Sequence, residues 1–122
     1  MTQKKVLIAD DSALIREELQ EILKELDLNV VAAEDGVDGV EKAQESEGFD
    51  LIISDVNMPR KDGLAMVKEI KDMDKYKDTP VFVLTTEVDA NLKAEGKRVG
   101  VMLWAIKPIK KEAIQKVVQK VL

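Results

Sequence analysis

Short apolar runs alternate with longer amphipathic segments along the whole chain. The apolar runs have the length and composition of buried strands, and they lie at 6–9, 30–33, 51–53, 81–84 and 102–106. In the segment that follows each run, apolar residues recur every three or four positions, which predicts helices at 13–26, 36–46, 64–73, 87–99 and 113–121. The chain is therefore expected to fold as five strand–helix units.

This unbroken alternation favours an α/β fold, with a doubly wound parallel sheet of five strands and helices on both faces. The continuous apolar strands agree, because a strand that is covered on both faces has no solvent-facing positions. Ligands of such sheets bind beyond the carboxyl ends of the strands. The residues that follow each strand are thus the candidates for function.

The composition narrows the possible chemistry. With 122 residues the chain is expected to form one domain, and it contains no cysteine and no histidine. Disulfides, thiolate metal sites and imidazole bases are therefore excluded. The net charge of −5 argues against unaided binding to nucleic acid. The sequence shows no secretory signal and no apolar stretch long enough to insert into a membrane, so a cytoplasmic protein is expected.

Polar and charged side chains follow four of the five predicted strands. They are Asp10 and Asp11 after the first strand, Asp55 after the third, Thr85 and Thr86 after the fourth, and Lys107 after the fifth. Because the carboxyl ends of parallel strands share one edge of the sheet, these side chains are expected to converge. The second strand ends in Glu34-Asp35-Gly36, which indicates a turn.

Each of these residues also has a purely structural interpretation. The alternatives are an N-cap of the first helix for Asp11 or Ser12, an Asx turn for Asp55, an N-cap of the fourth helix for Thr85 or Thr86, and an ordinary surface position for Lys107. Each alternative is reasonable alone, but together they leave the grouping unexplained.

Electrostatic repulsion makes the convergence of Asp10, Asp11 and Asp55 informative. Two carboxylates about 4 Å apart repel by roughly 4 kcal/mol at an effective dielectric constant near 20. Three of them need either a bound proton or a cation. Oxygen ligands favour a hard ion such as Mg²⁺, and Mg²⁺ together with Lys107 would balance the three negative charges. Such a site could receive a phosphoryl group, with an acid such as Asp55 as the nucleophile.

Four segments resemble the receiver domain of two-component response regulators, and the resemblance extends over essentially the whole chain. The segments read VLIADDS at 6–12, DLIISDVNMPRKDG at 50–63, FVLTTE at 82–87 and WAIKP at 104–108. The variants DVNMP, LTTE and WAIKP are most similar to chemotaxis regulators of the CheY type. The resemblance implies a flavodoxin-like (βα)5 fold with strand order 2-1-3-4-5, and a single receiver domain over residues 1–122.

The resemblance also implies roles for the site residues. Asp55 aligns with the phosphoryl acceptor of the family. Mg²⁺ would be bound directly by Asp11, by Asp55 and by the backbone carbonyl of Asn57, and through a water molecule by Asp10. Lys107 would contact an oxygen of the transferred phosphoryl group.

Other residues align with the family's conformational switch. Thr85 matches the hydroxyl that moves to the phosphoryl group, and Trp104 matches the aromatic side chain that follows this movement. Asn57 and Glu87 occupy positions that tune dephosphorylation. The bond between Lys107 and Pro108 is expected to be cis.

Two features depart from the family's pattern. Thr86 is bulkier than the small residue that is usual there, which could slow the access of the phosphodonor or of water. The run Val101-Met102-Leu103-Trp104 is more apolar than usual. It is interpreted either as a core strand with an apolar edge or as a docking surface.

The function that the resemblance implies is signalling. A sensor histidine kinase would phosphorylate Asp55, and the chain, which is not an enzyme otherwise, would catalyse only its own phosphorylation and dephosphorylation. The phosphorylated conformer would bind a target protein through the fourth helix, the fifth strand and the fifth helix, including Trp104, Lys107 and Lys110. The flagellar motor switch is one candidate target. A cytoplasmic monomer that binds neither nucleic acid nor membranes is expected.

Other roles stay open at this point. The chain could be a phosphorelay intermediate that passes the phosphoryl group to a histidine phosphotransferase. It could also be an unphosphorylated scaffold, or the isolated receiver domain of a longer regulator. A conventional Mg²⁺ phosphatase is disfavoured, because Asp10 and Asp11 are adjacent where such enzymes carry a D-x-D pattern.

Overall fold

The computed structural model describes residues 3–122 and contains five strands, five α-helices and one short 3₁₀ turn in this part of the chain. In chain order they are β1 (Lys5–Ala9), α1 (Ala13–Lys24), β2 (Asn29–Ala33), α2 (Gly36–Glu45), β3 (Leu51–Ser54), α3 (Gly63–Lys71), the 3₁₀ turn (Asp74–Tyr76), β4 (Val81–Thr85), α4 (Ala90–Val99), β5 (Leu103–Ile106) and α5 (Lys111–Val121).

All strand pairs are parallel, and the order across the sheet is β2-β1-β3-β4-β5. This confirms the doubly wound, flavodoxin-like sheet that the sequence predicts. The chain turns outward in opposite directions after β1 and after β3, so the switch point of the topology lies between these two strands. The register pairs Ala9 with Ser54, which places the residues that follow β1 and β3 side by side.

The core consists of two apolar layers, one on each face of the sheet. Alternate residues of β1 supply both layers: Leu7 packs with residues of α2 and α3, whereas Val6 and Ile8 pack with residues of α1 and with Val118 of α5. This division explains why the strands carry continuous apolar runs rather than an alternating pattern. Helices on both faces hold β1 and β3 rigidly at the centre of the sheet.

The fourth helix begins later than the sequence pattern predicts. It starts at Ala90 rather than at residue 87, because the Asp89 side chain caps it by accepting hydrogen bonds from the N–H groups of Asn91 and Leu92 at 2.8 and 3.1 Å. The alternative in which Thr85 or Thr86 caps this helix is therefore wrong. Residues 86–89 form an irregular segment between β4 and α4.

Smaller differences affect the ends of other elements. Helix α1 ends at Lys24, two residues before the predicted end, and Asp27 just beyond it adopts a left-handed conformation with φ of 59°. Strand β5 begins at Leu103 instead of residue 102. Within residues 3–122, no helix has both the length and the apolar content that crossing a membrane requires.

Two leucines of α1 test the packing of the layer beneath it. Leu23 is fully buried, so Leu23→Ala is expected to lower the free energy of unfolding by about 2–5 kcal/mol through the cavity it leaves. Leu14 is 63% exposed, and Leu14→Ala is expected to change that free energy by no more than about 0.5 kcal/mol. Urea denaturation measures both values, and equal losses in the two variants would contradict the assigned packing.

Candidate functional site

Three carboxylates converge at the carboxyl edge of the sheet. Oxygen atoms of Asp10, Asp11 and Asp55 all lie within 4.8 Å of one another. Asp10 and Asp55 directly follow the paired central strands β1 and β3, and they are only 2% and 9% exposed, whereas Asp11 is exposed. The structure therefore brings together the three acids that the sequence singled out.

Lys107, which follows the edge strand β5, bridges two of these acids. Its Nζ atom donates hydrogen bonds to Asp10 Oδ2 at 2.9 Å and to Asp55 Oδ2 at 2.7 Å. Burial alone would lower the pKa of Lys107, but its bonds to Asp55 and Asp10 outweigh this effect and raise the pKa above the ordinary value. Lys107 is thus held in its charged form, which offsets part of the repulsion between the acids.

The remaining oxygen atoms of the buried acids are bound to the backbone. Asp10 Oδ1 accepts a hydrogen bond from the Ser12 N–H at 2.9 Å, and Asp55 Oδ1 accepts one from the Val56 N–H at 2.6 Å. Burial nevertheless raises the pKa of Asp10, with a further contribution from the charge of Asp55, while the Ser12 N–H and Lys107 partly oppose the rise. Asp11 accepts no hydrogen bond from the described residues, so its oxygens are available to a ligand.

The helix that follows β1 is capped by Ser12, whose hydroxyl accepts a hydrogen bond from the Ile15 N–H at 3.3 Å. Of the two capping candidates, Ser12 is therefore correct and Asp11 is not. Arg16 of α1 donates a hydrogen bond to the backbone carbonyl of Asp10 at 2.7 Å, which fixes the start of the loop that carries Asp10 and Asp11. No local pattern in the sequence indicates this contact.

The loop after β3 is held tightly against the end of the sheet. The Ser54 hydroxyl donates to the carbonyl of Asp55 at 2.6 Å, and the Gly63 N–H donates to the carbonyl of Val56 at 2.8 Å. A Cβ atom at position 63 would lie only 1.8 Å from the carbonyl oxygen of Asp55, so glycine is required there for the close approach of α3. Asn57 lies at the start of this loop, and its side chain is exposed.

The backbone of Glu87 connects two of the predicted switch residues. The hydroxyl of Thr85, which is fully buried, accepts a hydrogen bond from the Glu87 N–H at 3.2 Å. The indole Nε1–H of Trp104 donates to the carbonyl of the same residue at 3.0 Å. The Glu87 carboxylate also accepts a hydrogen bond from Asn57 Nδ2 at 2.5 Å. Glu87 therefore links the loop after β3, the end of β4 and the middle of β5.

Two further predicted positions follow β4 and β5. Thr86 comes directly after β4 and is exposed, and its side chain makes no hydrogen bond to the described residues. The bond between Lys107 and Pro108 is cis.

These features match one protein family. Residues 6–119 match the response regulator receiver domain family. The chain belongs to this family.

Two relatives of the chain differ in length. The chain is 34% identical over 110 residues to the protein PilG of Pseudomonas aeruginosa, and this match covers 90% of the chain and 81% of PilG. It is 40% identical over 106 residues to the transcriptional regulatory protein PdtaR of Mycobacterium tuberculosis, and this match covers 86% of the chain but only 50% of PdtaR. Receivers similar to this one thus occur in a protein of about the same size and in a longer protein of which the match spans only half.

Solved structures confirm the CheY-like fold. The chemotaxis protein CheY4 of Vibrio cholerae matches with a TM-score of 0.92 and 42% identity, covering 99% of this chain and 100% of that one. A chain of the CheX–CheY–BeF₃–Mg²⁺ complex from Borrelia burgdorferi matches with a TM-score of 0.89 and 25% identity, covering 97% of this chain and 88% of that one.

The donor atoms at the acidic cluster fit a hard divalent cation. The cluster offers only oxygen atoms, and they lie close enough together to share one ion. Among residues 3–122, no cationic side chain forms an ion pair with the exposed carboxylate of Asp11, whereas Lys107 binds one oxygen each of Asp10 and Asp55. A small ion such as Mg²⁺, which keeps several of its waters, suits such a partly open site.

One contact involves Asp35, which the sequence marked only as part of a turn. Asp35 caps α2 through the Asp38 N–H at 2.8 Å and also accepts two hydrogen bonds from the guanidinium group of Arg60. Arg60 lies 25 positions further along the chain, so no local pattern could have predicted the pair.

Gly96 tests the packing of Trp104, the predicted switch residue. A Cβ atom at this buried position in α4 would lie 2.8 Å from Cζ3 and 3.2 Å from Cε3 of Trp104. Gly96→Ala is therefore expected to displace the indole and to raise its acrylamide quenching constant, although alanine in a helix interior ordinarily stabilises by about 1 kcal/mol.

Trp104 is the only tryptophan, so its fluorescence reports on this site alone. Gly48→Ala is the control, because no atom lies within 4 Å of a Cβ at position 48. An unchanged quenching constant combined with a full gain in stability in Gly96→Ala would show that the indole does not need the space.

Proposed function

We propose that this chain is a stand-alone response regulator over residues 1–122, which accepts a phosphoryl group on Asp55 and then binds a target protein. The observation that carries the proposal is the bridge from Lys107 to Asp10 and Asp55, with the exposed carboxylate of Asp11 beside it. This arrangement supplies positive charge next to a fixed nucleophile, which is what phosphoryl transfer requires most.

In the proposed reaction, a carboxylate oxygen of Asp55 attacks the phosphorus atom of a phosphohistidine on a sensor kinase. A new O–P bond forms, the P–N bond breaks, and the imidazole takes up a proton as it leaves. Lys107 donates to an oxygen of the transferred group and to the acids around it. Mg²⁺, held by Asp11, Asp55 and the carbonyl of Asn57 and through water by Asp10, would neutralise further oxygen charge.

The chain is proposed to act as a signalling module and to catalyse only its own phosphorylation and dephosphorylation. Water must reach the acyl phosphate for the group to be lost. The paired side chains of Asn57 and Glu87 and the exposed side chain of Thr86 lie at the rim where that water would enter. We infer that these three residues set the lifetime of the phosphorylated state.

The proposed switch uses the contacts of Glu87. The Thr85 hydroxyl accepts a hydrogen bond from the Glu87 N–H, and its own proton is free to be donated to a phosphoryl oxygen. A turn of Thr85 toward that oxygen would change its bond to Glu87, and Trp104 is bound to the same residue. The signal would then be a shift between two conformers of this segment.

The target is proposed to bind at α4, β5 and α5. Met102 is 62% exposed there, which favours the docking interpretation of the run Val101-Met102-Leu103-Trp104 for this residue, and Ile106 at the end of β5 is 45% exposed as well. A depression of about 330 Å³ beside Trp104 is lined by Lys93, Ala94, Lys97, Val101 and Met102. The Borrelia CheY structure is of a complex with a second protein, CheX, which supports protein binding as the output.

Similarity to the chemotaxis protein CheY4 supports a role in chemotaxis, with the flagellar motor switch as one candidate target. The proposed protein is a cytoplasmic monomer that binds neither nucleic acid nor membranes. The match to half of PdtaR favours a second possibility, namely that the chain is the receiver part of a longer regulator.

Labelling with acetyl phosphate tests the acceptor. Asp55→Asn is expected to reduce the incorporated phosphate by at least about 100-fold, because an amide cannot replace the nucleophilic carboxylate. The control is Asp50→Asn, which replaces an exposed acid at the opposite end of β3. Undiminished hydroxylamine-sensitive label in Asp55→Asn would disprove the assignment of the acceptor.

Capture of partners tests the output. Immobilised protein is compared with and without beryllofluoride and Mg²⁺, and a target is expected to bind at least about 10-fold better in the activated state, a shift of about 1.4 kcal/mol. The variant Met102→Glu is expected to abolish this capture without changing acetyl phosphate labelling. A target that binds both states equally would contradict the proposed dependence on activation. A target that still binds Met102→Glu would contradict the proposed surface.

A further inference from the structure

An ion pair between the buried Asp35 and the exposed Arg60 ties the loop after β3 to the start of α2. Arg60 donates from Nε to Asp35 Oδ2 at 2.7 Å and from Nη2 to Asp35 Oδ1 at 3.1 Å, so both carboxylate oxygens are engaged by one planar group. Asp35 is only 4% exposed. The bond from Arg60 holds the pKa of Asp35 below its ordinary value, so this carboxylate is charged at neutral pH.

The backbone beside the pair is equally constrained. The Gly36 N–H donates to the carbonyl of Lys61 at 3.1 Å, and a Cβ atom at position 36 would lie 2.3 Å from that carbonyl oxygen. Arg60 itself has a φ of 64°, a left-handed conformation that non-glycine residues adopt only when their surroundings impose it. The ion pair and the Gly36–Lys61 bond provide such surroundings.

This constrained segment belongs to the loop that carries Asn57. The loop leaves β3 at Asp55 and returns at Gly63, where the Gly63 N–H bonds to the carbonyl of Val56. Its outer part is anchored through Arg60 and Lys61 to α2. The direction of the Asn57 carbonyl therefore depends on anchors at both ends of a short loop.

We propose that Asp35 and Arg60 are positioning residues for the metal site, and that they hold the Asn57 carbonyl where it can bind Mg²⁺. The inference rests on the metal site of the proposed function. Residues that orient metal ligands from outside commonly change metal affinity by 10–100-fold when they are replaced. Asp35 and Arg60 would act in this way through the backbone of residues 57–60.

Two simpler explanations make different predictions. If the pair affects Mg²⁺ only through its charge, removal of the Arg60 cation strengthens Mg²⁺ binding and removal of the Asp35 anion weakens it. If the pair serves only the stability of α2, neither change alters the affinity of the folded protein. Positioning alone predicts that both substitutions weaken binding.

The test uses Asp35→Asn, Arg60→Asn and the double variant. Asparagine is a good N-cap at position 35, so α2 keeps its first turn, and at position 60 it tolerates the left-handed backbone. MgCl₂ is titrated into ¹⁵N-labelled protein, and the dissociation constant is taken from the amide shifts of Asp11 and Asn57. Each single variant and the double variant are expected to bind Mg²⁺ at least about 10-fold more weakly than the wild type.

The double variant is decisive because its net charge equals that of the wild type. Glu95→Gln and Arg98→Gln, which break an exposed ion pair on α4, measure the effect of charge alone. Arg60→Lys retains the cation without the two-pronged geometry, so its affinity for Mg²⁺ is expected to lie between those of the wild type and Arg60→Asn. This milder variant replaces Arg60→Asn in the comparison if Arg60→Asn does not fold.

Opposite effects in the two single variants, or wild-type affinity in the double variant, would overturn the positioning role. A wild type whose Asp11 and Asn57 amides do not respond to Mg²⁺ would instead overturn the metal site of the proposed function, and the inference with it. The two failures are therefore distinguishable.

Discussion

The repulsion among Asp10, Asp11 and Asp55 is the constraint on which the arrangement of this protein depends. Carboxylates about 4 Å apart repel by roughly 4 kcal/mol per pair at an effective dielectric constant near 20, so they do not come together without opposing forces. Here two rigid, doubly covered strands fix Asp10 and Asp55, and Lys107 binds an oxygen of each. The charge that remains is concentrated at the exposed Asp11, where a cation has direct access.

The position of Lys107 extends this balance across the sheet. Lys107 follows β5, an edge strand, whereas the acids follow β1 and β3, and β4 lies between. The ammonium group therefore reaches past Thr85, which ends β4. Any change in the charge of Asp55 acts on Lys107 and hence on β5, the strand that also carries Trp104. In the proposed function, this connection lets a target at the face formed by α4, β5 and α5 respond to the charge of Asp55 without contacting the acids themselves.

The central sheet and the acidic cluster were predictable because they follow from rules that act along the chain. Strands covered on both faces need continuous apolar runs, and parallel strands deliver the residues after them to a common edge. The pairing of Asp35 with Arg60 was not predictable, because it joins distant residues through a left-handed backbone that no local motif marks. The contacts of Glu87 with Thr85 and Trp104 were not predictable for another reason. They are made by the N–H and C=O groups of Glu87, and backbone atoms are the same in every residue.

The late start of α4 leaves the backbone of Glu87 outside the helix, where it makes the contacts to Thr85 and Trp104. A helix beginning at residue 87, as the pattern predicted, would commit the Glu87 carbonyl to a helical hydrogen bond. Because Asp89 caps the helix instead, that carbonyl is free to accept the indole N–H, which needs a partner when it is half-buried. Glu87 thus binds Thr85 and Trp104 from an irregular segment, so these contacts can rearrange without unwinding a helical turn.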